Sequence, residues 1–492
     1  MQTYQIYING QWCDSASGKW FDSLDPYTGE RWASIPQCNS TDVEAAVDSA
    51  NKAFENEAWR GLTATARGKM VKKFGQILSD NAEKLATIEV RDNGKLYTEV
   101  LNQCRYMTEW FEYYGGLADK VEGTVPPIDK PKVLNYTQYE PLGVCACITP
   151  WNSPLLLLVW KLAPALAAGN TVVIKPSEYT SASTLELAKL SELAGFPPGV
   201  INVLTGFSSE VGQPLVAHKK VRKIAFTGGE EGGRHVNISG AADFKNITLE
   251  LGGKSANIVF DDADLDQAVN GAVSGIFAAS GQTCIAGSRL LLQDSIHDEF
   301  LERLVDMAKT AKLGNPMSDD TQIAPIANEL QYRKILDYID IAKAEGARCV
   351  LGGEAGNVEG KHQGLFVMPT IFADVHNSMR IAQEEVFGPV LSVIRFKDEA
   401  EAISIANDID YGLAAGVWTK SLNRAVNVSG CLQAGTIWVN TYRSTSYTTP
   451  FGGYKSSGLG RENGQQAIKE YLQVKSVWLH TGEATKNPYS RR

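Results

Sequence analysis

Short apolar runs alternate with longer stretches of mixed polarity along the middle of the chain. Four runs that end in turn residues are predicted to be strands: GVCACIT, NTVVIKP, VINVLTG and KIAFTGG. Between them lie Leu155–Ala168 and Ser183–Ala194, which have helical length and are each followed by a glycine. This alternation is typical of βαβ units, so we predict a doubly wound parallel sheet.

A second alternating series follows the first. It begins with the strand-like run Ala256–Phe260 and a helical stretch over Leu265–Ser280. Helical stretches over His297–Leu313 and Gln331–Glu345 and strand-like runs SRLLL, CVLGG, PVLSVI and GTIWVN continue it. A second α/β domain is the simplest interpretation.

Two segments belong to neither series. Val121–Tyr139 is rich in proline and β-branched residues, and Tyr471–His480 has alternating apolar positions. Exposed strands of this kind seek a partner strand.

Composition excludes several classes of function. A chain of 492 residues, 43% hydrophobic and 21% charged, is expected to form a soluble protein of two large domains. The net charge of −9 disfavours binding to nucleic acid or to anionic membrane surfaces. The apolar run Pro154–Trp160 is too short to span a bilayer, and the N-terminus does not resemble a secretory signal. We therefore expect a cytoplasmic protein without a membrane partner.

The eight cysteines are too sparse for a disulfide framework and fit a reducing compartment. Cys145 and Cys147 are predicted to share one face of a strand, where they could pack in the core or bind a metal. No histidine lies nearby in the sequence, so packing is favoured and no metal site is expected.

Cys284, in the run FAASGQTCIAG, and Glu250, in the run LELGGK, carry the strongest chemical signal. A thiol and a carboxylate among small residues indicate covalent catalysis through sulfur. A thiol with the ordinary pKa of about 8.5 is only about 3% ionised at pH 7, so it needs help from its surroundings. No histidine lies in a motif typical of a cysteine protease, which leaves Glu250 as the better candidate base.

Two further motifs suggest a nucleotide site, although each has an ordinary structural interpretation. The run FTGGEEGGR could bring a pyrophosphate to the start of a helix, or could be a tight turn between strand and helix. The run VVIKPSE places Lys175 and Glu178 at the end of a predicted strand. These side chains could bind ribose hydroxyls, or could be an exposed lysine and a helix-capping segment.

Six segments occur in a fixed order: ITPWNSPLLLLVWKLAPALAAGNTVVIKPSE, FTGGEEGGR, LELGGKSANIVF, SGQTCIAGSR, EEVFGPV and PFGGYKSSGLGREN. Together they resemble the NAD(P)-dependent aldehyde dehydrogenase superfamily, in its hydrolytic, non-acylating branch. The resemblance implies an α/β fold with a Rossmann-like cofactor domain, a second α/β catalytic domain and a β oligomerisation arm. It implies these boundaries: 1–120 and 140–251 for the NAD-binding domain, 252–442 for the catalytic domain, 121–139 and 470–492 for the arm, and 443–469 for a return segment.

The resemblance also implies a reaction. Cys284 would attack the aldehyde carbon, and the Asn152 amide with the Cys284 backbone N–H would stabilise the oxyanion. Glu250 would then activate water to hydrolyse the thioester. The coenzyme A-acylating branch lacks this glutamate, so a free carboxylic acid is the expected product.

The cofactor implied by the resemblance is NAD, with NADP as an alternative. A carboxylate at Glu178 accepts hydrogen bonds from ribose hydroxyls and repels a 2′-phosphate, which favours NAD. Two positions depart from the family pattern: Gly229 lacks a side-chain phosphate contact, and Glu230 adds a negative charge nearby. The cofactor residues implied by the resemblance are Thr149, Pro150, Trp151, Lys175, Ser177, Glu178, Thr227, Gly228, Gly229, Gly233, Leu251, Glu385 and Phe387.

The substrate is less well defined. Trp160 and Phe451 could sandwich an apolar, aromatic or terpenoid aldehyde, or an amino or quaternary ammonium aldehyde by cation–π attraction, or could be ordinary tunnel lining. Succinic semialdehyde enzymes of the family carry arginine at the Trp160 position, which disfavours that substrate. Arg443 keeps an anionic substrate open, although it also fits an exposed loop. The tunnel residues implied by the resemblance are Ser153, Leu157, Trp160, Thr283, Ile285, Arg443, Thr445 and Phe451.

Two other functions are alternatives to aldehyde oxidation. The scaffold could be a non-catalytic structural protein, which loss of Cys284, Glu250 or Asn152 would indicate, and none of these is lost. The thiol could also act as a cofactor-independent esterase. The arm that the resemblance implies would form dimers or dimers of dimers, so a homodimer or homotetramer is expected.

Overall fold

The computed structural model describes residues 1–358, 364–482 and 487–489. Its strands follow one another in the order predicted from the apolar runs. In chain order they are β1 (Gln2–Thr3), β2 (Ile6–Ile8), β3 (Gln11–Cys13), β4 (Lys19–Leu24), β5 (Arg31–Gln37), β6 (Val133–Pro141), β7 (Val144–Ile148), β8 (Thr171–Lys175), β9 (Ile201–Val203), β10 (Val221–Thr227), β11 (Asn246–Glu250), β12 (Ala256–Val259), β13 (Arg289–Gln293), β14 (Arg348–Leu351), β15 (Thr370–Ala373), β16 (Val390–Phe396), β17 (Tyr411–Gly412), β18 (Ala414–Trp418), β19 (Thr436–Val439), β20 (Tyr454–Lys455), β21 (Gly458–Leu459) and β22 (Leu472–His480).

Helices cover both faces of the large sheets. The α-helices are α1 (Ser40–Glu55), α2 (Glu57–Arg60), α3 (Ala64–Asp80), α4 (Ala82–Asn93), α5 (Tyr97–Tyr106), α6 (Thr108–Leu117), α7 (Pro154–Ala168), α8 (Ser181–Ala194), α9 (Gln213–Ala217), α10 (Glu230–Ala241), α11 (Leu265–Phe277), α12 (His297–Ala308), α13 (Glu329–Ala344), α14 (Arg380–Gln383), α15 (Glu399–Asn407) and α16 (Leu422–Cys431). Short 3₁₀ turns span Glu178–Thr180, Ala278–Gly281, Asp294–Ile296 and Ala467–Tyr471, and a π turn spans Ser208–Gly212.

The first large sheet has the order β21-β11-β10-β7-β8-β9-β2-β3. Its five central strands, β11 to β9, are parallel, as predicted from the βαβ pattern. Antiparallel strands from the two ends of the chain extend it, with β21 on one edge and β2 and β3 on the other. Ligands of such sheets bind at the carboxyl ends of the strands, so a ligand is expected to contact the segments after β7, β8 and β10.

The second large sheet has the order β14-β15-β16-β13-β12-β18-β19. All its strand pairs are parallel except β14 with β15. A continuous apolar core joins the two large sheets and includes Cys147 of β7 and Leu290 of β13. The predicted α/β fold with two sheets is therefore confirmed.

Two predicted helices are shorter than expected. The pattern predicts a helix over Leu265–Ser280, but α11 ends at Phe277, and Ala279 and Ser280 have positive φ values that no α-helix contains. The pattern predicts a helix over His297–Leu313, but α12 ends at Ala308. Beyond it, the Thr310 hydroxyl donates to the carbonyl of Met307, and Leu313 pairs in a β-bridge with Ile323. Leu313 therefore continues the apolar spacing of the helix, but its backbone is extended and pairs with the segment that contains Ile323.

The two segments outside both series pair with each other. Strands β6 and β22 form a two-stranded antiparallel sheet that runs from Leu472 opposite Pro141 to His480 opposite Val133. Large apolar side chains of β22 remain exposed, with Val474 at 61% and Trp478 at 57%. The last part of the predicted arm, residues 483–486 and 490–492, lies outside the described residues.

None of the helices in the described ranges combines the length and the apolar character needed to cross a membrane.

Candidate active site

A cavity of about 380 Å³ lies over the carboxyl ends of β7, β8 and β10. Fifteen of the residues predicted for the site line it: Thr149, Pro150, Trp151, Asn152, Leu157, Lys175, Ser177, Glu178, Thr227, Gly228, Gly229, Leu251, Cys284, Glu385 and Phe387. The cavity thus contains most of the predicted cofactor residues together with the thiol and the Asn152 amide.

The loop that carries Cys284 has an unusual backbone. Ala279, Ser280 and Gly281, which precede it, all have positive φ values, of 53°, 51° and 69°. The Ser280 hydroxyl donates to the carbonyl of Ala324 at 2.8 Å and holds this conformation from outside the loop. A Cβ atom added to Gly281 would lie 2.0 Å from the carbonyl oxygen of Gly388, so only glycine fits there.

Burial, followed by the charges of Glu385 and Glu250, raises the pKa of the Cys284 thiol to about 12. Asn152 Nδ2 donates to the carbonyl of Gln282, two residues before the thiol, at 3.0 Å. Because an amide group has two N–H hydrogens, this bond leaves a second donor on Asn152. A substrate oxygen bound between Asn152 and the thiol would meet that donor.

Glu250 ends β11 and is only 4% exposed. Within the described part of the chain, neither of its carboxylate oxygens has a hydrogen-bond partner. Burial and then repulsion by Glu462 raise its pKa well above the ordinary value, and Lys161 and Arg461 oppose that shift. The raised pKa makes Glu250 a stronger base, when it is charged, than an exposed carboxylate.

A buried ion pair lies behind this carboxylate. Lys161 Nζ, in α7, donates to Glu462 Oε1 at 2.5 Å and to the Thr227 hydroxyl at 2.6 Å. Lys161 is fully buried and Glu462 is 3% exposed. The pair joins α7 and β10 to the segment after β21.

The predicted cofactor side chains have different local roles. Burial lowers the pKa of the Lys175 ammonium, which donates to the carbonyl of Pro176 at 3.0 Å. Glu178, in the turn after β8, is half-buried. Glu385 Oε1 accepts the backbone N–H of Gly253 at 2.9 Å, and the Phe387 ring contacts Trp151 edge to face at 5.3 Å.

Gly233 does not line the cavity. A Cβ atom at this position would lie 2.5 Å from Leu251 Cδ2, so the glycine lets α10 pack against the end of β11. The charge of Glu230, at the start of α10, is already paired: Arg234 lies 2.5 Å from one oxygen, and the Tyr411 hydroxyl donates to the other at 3.2 Å. The expected repulsion of a pyrophosphate by Glu230 is thereby reduced.

The predicted tunnel residues are less closely grouped. Leu157 lines the cavity beside the thiol, but Ser153, Trp160, Thr283, Ile285, Arg443, Thr445 and Phe451 do not. The Trp160 and Phe451 rings contact each other at 5.1 Å, and Trp110 stacks on Trp160 at 5.8 Å. No group fits between the rings of Trp160 and Phe451, so they form one wall rather than a sandwich.

Ser153 accepts a hydrogen bond from Lys95 Nζ at 2.8 Å. The sequence pattern gave no signal for Lys95, which lies between α4 and α5, far from every quoted motif. It also missed several residues that line the cavity: Ser208, Gly212, Gln213, Val216, His235, Val236, Ser239, Gln331 and Lys334. His235 and Ser239 are four residues apart on α10, so their shared face could have indicated them.

Comparison with known proteins identifies the family. The model of the aldehyde dehydrogenase family matches residues 12–477. The (Z)-2-((N-methylformamido)methylene)-5-hydroxybutyrolactone dehydrogenase of Acinetobacter baylyi is 46% identical over 485 residues, covering 98% of each chain. The chain belongs to the aldehyde dehydrogenase family.

Solved structures of other aldehyde dehydrogenases have the same fold. Betaine aldehyde dehydrogenase of Staphylococcus aureus, in complex with NAD⁺, is 42% identical and superposes with a TM-score of 0.97, covering 99% of this chain and 97% of that one. An aldehyde dehydrogenase from Bacillus cereus, also an NAD⁺ complex, has a TM-score of 0.95 at 41% identity, covering 98% and 97%. This chain is therefore an aldehyde dehydrogenase-family oxidoreductase, and its family is NAD(P)-dependent.

Cys145 and Cys147 are both fully buried in β7 and belong to the core of the aldehyde dehydrogenase fold. Across residues 1–358, 364–482 and 487–489, no group of three or more His, Cys, Asp or Glu side chains could hold a metal ion.

Proposed function

We propose that this protein oxidises an aldehyde to a carboxylic acid with NAD⁺, through a thioester on Cys284. The observation that carries the proposal is that Cys284 and Asn152 line the same cavity as the predicted cofactor residues. Glu250 lies close enough to influence the pKa of the thiol. A nucleophile and an oxyanion donor thus line one cavity, and the proposed base lies outside its lining but within electrostatic range of the thiol.

The cavity suits a dinucleotide. It lies over the carboxyl ends of parallel strands and beside the start of α10, where Gly229 leaves the backbone accessible. Lys175 and Glu178 would hold the adenosine ribose, and Glu385 would hold the nicotinamide ribose. When bound, the nicotinamide supplies the hydride acceptor. The carboxylate of Glu178 favours NAD over NADP because it would repel a 2′-phosphate.

The first chemical task of the protein is to form the thiolate of Cys284. Because burial raises the pKa of this thiol to about 12, the thiol is protonated at neutral pH until its proton passes to a base. The thiolate attacks the aldehyde carbon, and a carbon–sulfur bond forms as the carbonyl π electrons move to oxygen. Asn152 Nδ2 and the Cys284 backbone N–H would stabilise this oxyanion.

The thiohemiacetal would become a thioester by re-forming its carbonyl as its C–H hydrogen leaves as hydride to the nicotinamide that the site would hold. Hydrolysis of that thioester is assigned to Glu250. In its charged form the carboxylate accepts a proton from water as the water oxygen attacks the acyl carbon. The carbon–sulfur bond then breaks, the acid leaves, and the sulfur recovers a proton. A buried carboxylate with a raised pKa is a stronger base than an exposed one, which suits this step.

The substrate wall supports an aldehyde with a hydrocarbon or aromatic part. Leu157 and Trp160 are three residues apart on α7 and are therefore neighbours on its surface, and Ser153 directly precedes the helix. Leu157 lines the cavity with the thiol, and Trp160 contacts Phe451 further along. The names of the relatives, one acting on a hydroxybutyrolactone and another on betaine aldehyde, include both oxygen-rich and cationic substrates.

We also propose that the chain is divided into an NAD-binding domain and a catalytic domain and that it assembles into a homo-oligomer. Residues 1–120 and 140–251 contain the first large sheet except β21, and 252–442 contain the second. The exposed apolar residues Val474 and Trp478 on β22 favour burial against a second copy, giving a homodimer or homotetramer. A monomeric mass by light scattering would contradict this assembly.

The reaction is tested by following reduced cofactor. Purified protein is given NAD⁺ or NADP⁺ with aliphatic, aromatic, terpenoid, amino and carboxyl aldehydes. Turnover that is present in the wild type and absent in Cys284→Ala supports the reaction. Cofactor binding without turnover of any aldehyde class would contradict it, and ester hydrolysis without cofactor would favour the esterase function.

A further inference from the structure

A second cavity, of about 20 Å³, lies at the amino ends of β12, β13 and β18. Lys254, just before β12, and Arg289, the first residue of β13, both contribute to its wall. Across the described ranges 1–358, 364–482 and 487–489, no aspartate or glutamate lines this cavity, and it shares no lining residue with the active-site cavity. Because one water molecule needs about 10–15 Å³, the second cavity holds one occupant of roughly that size and is too small for a phosphate.

The Lys254 side chain is a buried donor without an acceptor. The residue is 2% exposed, and within the part of the chain that the structure describes its Nζ has no hydrogen-bond partner. Almost all buried polar groups in proteins are hydrogen-bonded, and an unpaired buried charge is especially costly. An ammonium has three N–H hydrogens, so an occupant of the cavity that accepts hydrogen bonds would reduce this cost.

Arg289 brings a second buried cation to the cavity, and it is only 1% exposed. Its Nε donates to the carbonyl of Lys254 at 3.0 Å, and its Nη2 donates to the carbonyl of Ala406 at 2.8 Å. Its Nη1 donates to Asn377 Oδ1 at 3.0 Å and to the carbonyl of Ile405 at 2.9 Å. All four acceptors are uncharged. Because a guanidinium has five N–H hydrogens, one of them remains for a further acceptor.

The charges on the two side chains depend on their surroundings. Burial lowers the pKa of the Arg289 guanidinium to about 10, so this group stays positive at neutral pH. Burial and then the charge of Arg289 lower the pKa of the Lys254 ammonium to about 7, and Lys334 acts more weakly in the same direction. Glu385 and Glu384 oppose that shift. An anion beside Lys254 would favour its charged form.

The chemistry of the wall selects the occupant. Two cations repel a metal ion, and a water molecule would accept hydrogen bonds but would leave both charges unbalanced. A monatomic anion accepts hydrogen bonds from Lys254 and from the remaining N–H of Arg289 and also offsets their charges. Asn407, Tyr411 and Gln433 line the cavity as well and are not buried, so they border a path from solvent.

We propose that this cavity is a binding site for one monovalent anion of about the size of chloride, held by Lys254 and Arg289. The site lies beside the connection between β11 of the first large sheet and β12 of the second. In this connection Gly252 lines the active-site cavity, and Lys254, two residues later, lines the anion cavity. A bound anion stabilises the connection between the two sheets. The site is independent of the reaction proposed above.

Crystals grown in sodium bromide test the site directly, because bromide can replace chloride and has a strong anomalous signal. We expect one bromide peak in the cavity, within hydrogen-bond distance of Lys254 Nζ, in the wild type and in Lys397→Met, which changes an exposed lysine. We expect no peak there in Lys254→Met. A cavity that holds only water in wild-type crystals would overturn the proposal even if Lys254→Met failed to fold, and so would an equal peak in Lys254→Met.

Chloride should also stabilise the protein in solution. The urea midpoint is measured in sodium chloride and in sodium gluconate at equal ionic strength, since gluconate is too large for the cavity. We expect chloride to raise the midpoint of the wild type and of Lys397→Met but not that of Lys254→Met. An equal effect of chloride on the wild type and on Lys254→Met would overturn the proposal.

The affinity for chloride should depend on pH. From pH 6 to pH 9 we expect the apparent affinity of the wild type to fall about tenfold to a hundredfold, because Lys254 loses its proton over that range. The affinity is obtained from the dependence of the urea midpoint on chloride concentration at each pH. An affinity that does not change with pH would overturn the part assigned to Lys254.

Discussion

The buried pair of Lys161 and Glu462 gives the sharpest test of how the site is held together. With their atoms 2.5 Å apart, an effective dielectric constant of 20 gives a gross attraction of about 7 kcal/mol. Desolvation costs several kcal/mol for each ion and offsets most of that gain. The pair as a whole should therefore add little stability, but each charge depends on the other.

Lys161→Met is expected to lower the free energy of unfolding by about 3–5 kcal/mol, because it leaves Glu462 buried without a cation. The double variant Lys161→Met with Glu462→Gln removes both charges and should recover most of this loss. Urea titrations followed by tryptophan fluorescence measure the four proteins of the cycle. Lys397→Met, at an exposed position, is the control for the side-chain change.

The loss should also depend on pH. Lys161 lowers the pKa of Glu250, so its removal raises that pKa further above the unfolded value of about 4.3. Stability from a carboxyl group with a raised pKa is present below its unfolded pKa and is lost as pH rises through the folded value. The deficit of Lys161→Met should thus be larger at pH 8 than at pH 5. A loss below 1 kcal/mol at pH 8, or a double variant whose loss is the sum of the two single ones, would refute this reasoning.

Three further predictions concern the site. Glu250→Gln should give a burst of reduced cofactor followed by slow turnover, because hydrolysis of the thioester lacks its base. The steady-state rate of the wild type should rise with pH as Glu250 loses its proton. A full steady-state rate in the variant would show that Glu250 is not the base. Gly281→Ala should abolish activity and lower the melting temperature, because its Cβ would lie 2.0 Å from a carbonyl oxygen. Gly430→Ala, whose Cβ meets no atom within 4 Å, is the control. Equal effects of the two substitutions would show that the close contact at Gly281 is not the cause. Glu178→Ala should lower the ratio of the specificity constant for NAD to that for NADP. An unchanged ratio would show that other residues determine the choice of cofactor.

Local pattern was sufficient for most of the parallel strands. Apolar runs such as Val144–Ile148 and Thr171–Lys175 have β-branched residues and end in turns, so their type and order could be predicted. The chain also places Cys284 after a helix, and the structure has this arrangement. These features depend on neighbours in sequence, which explains why the pattern revealed them.

Long-range pairing could not be predicted from the pattern. Lys95 and Ser153 are 58 residues apart, and Lys161 and Glu462 are 301 apart, so no local periodicity connects them. The contact between Trp160 and Phe451 depends on rotamers in two distant elements, so a sandwich was as plausible as a wall. The end of α12 at Ala308 likewise reflects pairing of Leu313 with a later segment.

The edge strand β21 and the partner of Lys161 both come from the last tenth of the chain, which has a consequence for biosynthesis. At about 5–20 residues per second, a ribosome needs about 15–60 seconds to add the 301 residues between Lys161 and Glu462. During that time the buried lysine has no carboxylate partner in Glu462, and β11 has an open edge. We therefore expect the nascent first large sheet to be prone to aggregation until translation ends, and premature termination near the C-terminus to yield an insoluble chain rather than a partly active one.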